Sequence, residues 1–172
     1  MTLTSPQKFL SVQNGIPTQT APAIIGGAAN AYNIPSLNAS GQLDQTMLPT
    51  GIGPDVTSIT ASEPIAAGAL VNVWDNSGAV AVRNADNSSP TKSANGFVLS
   101  AVASGAAATV YFGGLIQGMS ALVPGQQYFL GSVGAIIAAS ALPTTPGTLT
   151  QSVGVAVSAT QLQFVPGALI GN

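Results

Sequence analysis

The chain has 172 residues, with 3 Lys and Arg, 5 Asp and Glu, and neither His nor Cys. That length suits one domain with an added arm. The missing residue types exclude thiol, imidazole and cysteine–histidine zinc chemistry and any disulfide framework, and a formal net charge of −2 excludes the basic footprint of a nucleic-acid binder.

Residues 1–55 read as an extended N-terminal arm. The opening Met1-Thr2-Leu3-Thr4-Ser5-Pro6-Gln7-Lys8 lacks the basic start and continuous apolar core of a signal peptide. Lys8 to Val12 predicts a short strand, closed by the turn signal Asn14-Gly15. Pro17, Pro22, Pro35, Pro49 and Pro54 then recur without a sustained period, which argues against a central sheet because Pro cannot donate to a ladder. Such an arm is expected to order only when something covers it. Inside it lies one compact strand–turn–helical-turn element, 34–49. Ile34-Pro35-Ser36-Leu37 leads to a turn at Ala39-Ser40-Gly41, and Asp44 is placed to N-cap one helical turn that Pro49 ends. Leu37, Leu43, Met47 and Leu48 are too few to bury one another, so they need a partner surface. With Phe9 and Ile52 they are the candidate assembly contacts.

From Val56 to residue 172 the pattern is β. Val56-Thr57-Ser58-Ile59-Thr60 alternates. Ala69 to Trp74 and Ala79 to Arg83 flank the turn chemistry Asp75-Asn76-Ser77-Gly78. Gly96 to Val102 and Thr109 to Phe112 form a second pair around Gly105. Gln127 to Leu130 and Ala135 to Ala138 form a third around Gly134, and Val153 to Val157 and Gln161 to Val165 a fourth. The expected fold is all-β, a compact β-sandwich or β-barrel preceded by the arm. Phe97 to Ile116 is uncharged and long enough to raise a membrane span, but its serines, glycines and alternation fit two strands around a turn better. Gly96–Phe112 and Gly154–Phe164 echo one another, as two similar hairpins on opposite sides of a barrel would.

Catalytic patterns are thin. Ser5-Pro6-Gln7-Lys8 matches S-x-x-K, yet the helix and companion motifs that make it a serine–lysine site are missing. Asp75-Asn76-Ser77-Gly78 lacks the twelfth-position acid of a calcium loop and already serves as a turn. The carboxylates Asp44, Asp55, Glu63, Asp75 and Asp86 fall in arm or turn positions, where caps explain them better than a glycosidase pair does. Asn38-Ala39-Ser40 and Asn87-Ser88-Ser89 read as turns. Trp74, Tyr111, Phe112, Tyr128, Phe129 and Phe164 fall at strand positions that suit core or subunit contacts. Beyond Lys92 no Asp, Glu, Lys or Arg occurs, so a serine nucleophile there would find no base. The expectation is a protein that is not an enzyme and takes no cofactor and no metal.

The stretch Ile34-Pro35-Ser36-Leu37-Asn38-Ala39-Ser40-Gly41-Gln42-Leu43-Asp44, continued by Met47-Leu48-Pro49-Thr50-Gly51-Ile52-Gly53, resembles a recurring element in structural proteins of tailed bacteriophages. There an apolar strand is followed by a small-residue Gly turn, a Leu-Asp or Ile-Asp step, Leu-Pro and a Gly-rich exit. Gly96-Phe97-Val98, Val110-Tyr111-Phe112-Gly113-Gly114, Leu122 to Leu130 and Val153 to Ser158 are similar to a β-module of the same class of virion proteins. Such modules occur in head decoration (cement) proteins, head fibres and tail fibres.

The chain departs from that class in its near-absence of charge, which weakens the transfer of any particular partner, while the charge pattern by itself points to a life inside an assembly. Charged residues make up 5% of the chain, against about 25% in an average soluble domain, so little repulsion keeps copies apart. The leading expectation is a capsid decoration or cement protein on the virion surface. It would be a homotrimer whose β-domain and arm bind the major capsid protein, the arm adding strands to exposed edges. No nucleic acid and no membrane is expected among its partners. The alternative is a short head- or tail-fibre or adaptor protein whose β-domain contacts a receptor. A third class is a lectin-like module acting alone, with aromatic residues exposed on one face.

Overall fold

The computed structural model describes residues 8–23, 26, 34–37, 43, 47 and 55–171. The chain forms two compact units, Met1–Gly53 and Pro54–Asn172.

In the first unit, β1 (Phe9–Gln13) and β2 (Ile16–Thr20) pair antiparallel. Asn14 (φ 52) and Gly15 (φ 80) are both left-handed, as a two-residue hairpin turn of matching twist requires. Gln13 and Ile16 flank the turn, so they form the pair that exchanges hydrogen bonds. Pro17, opposite Val12, falls in the next, non-bonded pair, and its missing N–H faces an open edge. Ser11 Oγ and Thr20 Oγ1 meet at 2.6 Å. Farther on, Ala23 N–H donates to Ile34 O (2.9 Å) and Ser36 N–H to Ala23 O (2.8 Å), a single parallel bridge. The helical turn expected from Asp44 lies outside the described residues, apart from Met47.

The second unit holds a closed barrel and a separate sheet. The barrel strands are β3 (Val56–Ala61), β4 (Leu70–Asn76), β5 (Ala79–Asn84), β6 (Gly96–Phe97) and β7 (Ala107–Tyr111), in the order β3-β5-β4-β6-β7 and back to β3. All pairs are antiparallel except β3–β5. The sheet contains β8 (Gly114–Gln117), β9 (Gln127–Leu130), β10 (Ile136–Ala138), β11 (Leu149–Ser158) and β12 (Gln161–Phe164), ordered β10-β9-β11-β12-β8. A last strand, β13 (Leu169–Gly171), pairs with the start of β11. A 3-10 turn at Ala139–Ala141 follows β10.

Period-two alternation explains how both bodies fill. Val71 and Val82 point into the barrel with Ile59, Ala61, Ala108 and Val110. Leu70, one residue from Val71, points the other way and joins Phe97, Ile116, Leu130, Leu149, Val153, Leu162 and Phe164 between barrel and sheet. That is why Ala69-Leu70-Val71 is continuously apolar: both faces of β4 are covered. Phe97 links the bodies, stacking on Tyr111 (5.3 Å between centroids) and meeting Phe164 edge to face (5.5 Å). At Gly154, opposite Phe164, a Cβ would overlap the Gln163 carbonyl.

The all-β expectation holds, and the hairpins at 69–83, 127–138 and 153–165 form. Other details differ. Only Gly96–Phe97 of the Gly96–Val102 run is strand. Val98 instead bonds Gly68 and Ala69, and Val102 exchanges two bonds with Ile65, capping the barrel end. The echo between Gly96–Phe112 and Gly154–Phe164 does not place two hairpins in one barrel. The second belongs to the sheet and meets the first through the Phe97–Phe164 contact. Among the described residues no helix is long and apolar enough to cross a membrane.

Candidate functional site

Three carboxylates of the β-domain, Glu63, Asp75 and Asp86, accept hydrogen bonds from backbone N–H groups. Asp75 Oδ1 accepts the Gly78 N–H at 2.8 Å and closes the β4–β5 turn. Glu63 Oε1 accepts both the backbone N–H and the side-chain amide of Asn84, each at 2.8 Å. Asp86 accepts from Ser88 N–H (2.8 Å) and Val133 N–H (3.4 Å). Burial opposes ionisation of Asp86, but those N–H groups, the Ser88 hydroxyl and the nearby Lys92 charge outweigh it. They hold the carboxyl below its ordinary value. Among the described residues no group of three or more Asp or Glu is placed to hold a metal. Ser5 and Asp44 lie outside the described residues; Lys8 is exposed.

Buried polar side chains tie loops to strands. Gln151 Oε1 accepts from Ala94 N–H (2.8 Å) and Gln151 Nε2 donates to Ala94 O (3.0 Å), so one side chain imitates a strand neighbour. Asn72 Nδ2 donates to Ser93 O (2.8 Å) and Asn95 Oδ1 (3.1 Å). Arg83 donates to Asn72 Oδ1 and Thr91 O, each at 3.0 Å, and its guanidinium lies 4.3 Å from the centroid of the Trp74 ring. Trp74 Nε1 donates to Ser62 Oγ at 3.3 Å. Tyr128 is buried, its hydroxyl accepting the Val123 N–H at 2.9 Å. These two aromatics are structural rather than a free stacking platform.

A concavity lies at the junction of barrel and sheet. It has a volume of about 620 Å³ and is formed by Ala66–Ala69, Gln117–Leu122 and Val133–Ile136, with Leu99 and Tyr128. No lining residue carries a formal charge. Two rim residues, Ala121 (φ 57) and Val133 (φ 50), are left-handed without being glycine. For a β-branched residue this is an outlier, costing about 1–2 kcal/mol. Gly134 (φ 72) makes it possible: a Cβ there would sit 2.8 Å from Leu70 O and 2.9 Å from Ala69 Cβ. Its N–H donates to Ala85 O (2.6 Å) and its carbonyl accepts from Leu70 N–H (2.8 Å), fastening the rim to β4. Val133 itself remains 65% exposed.

The outer face of the sheet is equally free of charge. In register across four strands stand Gln127, Val155, Gln163 and Leu115, with Val157 also exposed. Of the candidate assembly contacts, Phe9 is half-buried on β1, Leu37 and Leu43 are exposed, and Met47 is half-buried. None of the four belongs to the two cores of the β-domain. Leu48 and Ile52 lie outside the described residues. The sequence signalled Gly134 only as a turn, and nothing in Ala121 or Val133 announces a left-handed backbone.

No family model matches the chain, and no curated protein matches it. A solved structure similar to it is the crystal structure of the head fiber gp8.5 N base in bacteriophage phi29. The two share 14% identity over 68% of this chain and 92% of that one, with a TM-score of 0.44.

Proposed function

We propose that the chain is a structural protein of a tailed-bacteriophage particle, a homotrimeric decoration protein that covers the head shell. The observation that carries this reading is the uncharged Gln127–Val155–Gln163–Leu115 face, together with the exposed Leu10, Val12 and Ile16 of the hairpin. Interface cores are depleted of charge, because a buried charge needs a partner. Here aliphatic and amide groups stand on surfaces that a solitary protein would fill with Lys and Glu. The resemblance of 34–53 to phage structural proteins supports the same reading.

The partner is the major capsid protein, contacted by the β-domain face and by strand addition from the arm. Binding of this kind comes from apolar burial and backbone pairing, so it should persist in molar salt. The test is quantitative mass spectrometry of purified virions. Hundreds of copies per particle are expected for a shell decoration, whereas a few dozen would indicate a fibre. Absence from the particles, or release by high salt alone, would overturn the reading.

A further inference from the structure

Asparagine followed by glycine is open to a spontaneous reaction, because glycine has no side chain to shield its nitrogen. That nitrogen attacks the carboxamide carbon of the asparagine. An N–Cγ bond forms, the Cγ–Nδ2 bond breaks, and ammonia leaves with the proton of the glycine amide. Water then opens the five-membered imide. Cleaving the new N–Cγ bond gives Asp, whereas cleaving the original peptide bond gives isoaspartate, in which the backbone runs through the side chain. The dipeptide occurs twice in this chain, at Asn14-Gly15 and at Asn95-Gly96.

The fold treats the two in opposite ways. The Asn95 carboxamide oxygen accepts the Val73 N–H (2.9 Å) and the Asn72 Nδ2 (3.1 Å), and the Asn95 N–H donates to Val71 O (2.8 Å). Gly96 begins β6 in the closed barrel, where a Cβ would sit 2.7 Å from the Tyr111 carbonyl oxygen. Neither residue can swing unless the barrel opens. Asn14 and Gly15 instead stand exposed at the tip of the β1–β2 ribbon. The ladder bonds stop at Gln13 and Ile16, so none falls to the Gly15 N–H. One restraint remains. Asn14 is left-handed (φ 52), and in that region the following nitrogen points away from Cβ, out of reach of the carboxamide. Ring closure therefore waits for the turn to open, and a two-stranded ribbon in water opens readily. We infer that Asn14 is a deamidation site gated by opening of the β1–β2 hairpin, and that Asn95 is protected by the barrel.

The two products differ in effect. Asp tolerates the left-handed region, so it keeps the turn and adds one negative charge to a formal net charge of −2. Isoaspartate adds a backbone carbon to a turn built for two residues, so the Gln13–Ile16 pair cannot close and Leu10, Val12 and Ile16 lose their fixed arrangement. A ribbon that is covered, as in the reading above, stays shut, and acid at position 14 then records time spent uncovered.

The test uses full-length protein free in solution and stands apart from that reading. The protein is held at mildly alkaline pH, where more of the attacking nitrogen is deprotonated, and peptide mapping by mass spectrometry follows both sites. Asp and isoaspartate should accumulate at position 14 and not at position 95. No product at position 14, or equal conversion at the two positions, overturns the site. The gate is tested with Leu10→Cys and Gln19→Cys in one chain, which face each other in a non-bonded pair suited to a disulfide and meet no native cysteine. The oxidised form should convert several-fold more slowly at position 14 than the same protein reduced. Equal rates in the two forms overturn the gating.

Discussion

The β1–β2 hairpin and the β-domain are built from nearly the same residue types, yet they treat them in opposite ways. In the hairpin Leu10 is 70% exposed, and Val12 on the same face and Ile16 on the other are exposed to a similar degree. In the β-domain Leu70, Val71 and Ile116 are wholly buried. The difference is one of layers. A two-stranded ribbon has no second layer to close against and is marginal in water. The barrel closes on itself and then lends the outer side of β4 and β6 to the sheet, so residues one apart fill different cores. Apolar composition becomes stability only where topology supplies an opposing face.

Substitutions that test this contrast differ widely in size. Phe97→Ala should cost about 3–5 kcal/mol in urea unfolding, since that ring packs on both Tyr111 and Phe164. Leu10→Ala in the hairpin should stay within about 0.5 kcal/mol. Equal effects would break the comparison. Gln151→Leu orphans the Ala94 N–H and C=O in the interior and should cost about 2–4 kcal/mol in the same assay, where a neutral result would mean the loop re-pairs. Gly134→Ala forces a side chain into a left-handed site already crowded by Leu70 and should cost at least about 1–2 kcal/mol.

The smallest effect concerns acid. The Asp86 carboxyl has its folded-state value depressed, so its contribution is complete above the ordinary carboxylate range. It is lost as pH falls from about 4 through the lower folded-state value. Asp86 is half-buried at the surface and its N–H partners are offset by that burial, so the effect is a slight slope in melting temperature below about pH 4 that Asp86→Asn should flatten. An unchanged slope in the variant would show that the Ser88, Val133 and Lys92 partners do not favour the ionised Asp86 in the folded state.

Much of the β-domain was legible because turn chemistry is local. Asp75 to Gly78 marks the β4–β5 hairpin, and Asp75 caps it as its residue type suggests. Gly134 marks the β9–β10 turn. Alternation tells which side of a strand is apolar, but not which neighbour that side meets. The split into barrel and sheet, and the loss of strand after Phe97, were therefore hidden. β8 was missed because Gly113-Gly114 reads as the end of a strand, whereas Leu115 and Ile116 begin another beside β12. Gln151 occupies an inward position where an apolar residue is expected, and its partner lies 57 residues away. The recess arises from three loops distant in sequence, and its rim departs from the usual rule that left-handed positions belong to glycine or asparagine.

Barrel closure has a consequence for growth. Every barrel strand has a neighbour on each side, whereas β8, β10 and β13 each leave one margin of the sheet unmatched. The β-domain thus joins a closed barrel to a sheet whose margins at β8, β10 and β13 lack a strand neighbour. Among the described residues of the β-domain, backbone-to-backbone extension can proceed from those margins but not from the barrel. Strand addition to this domain therefore has a built-in direction of spread.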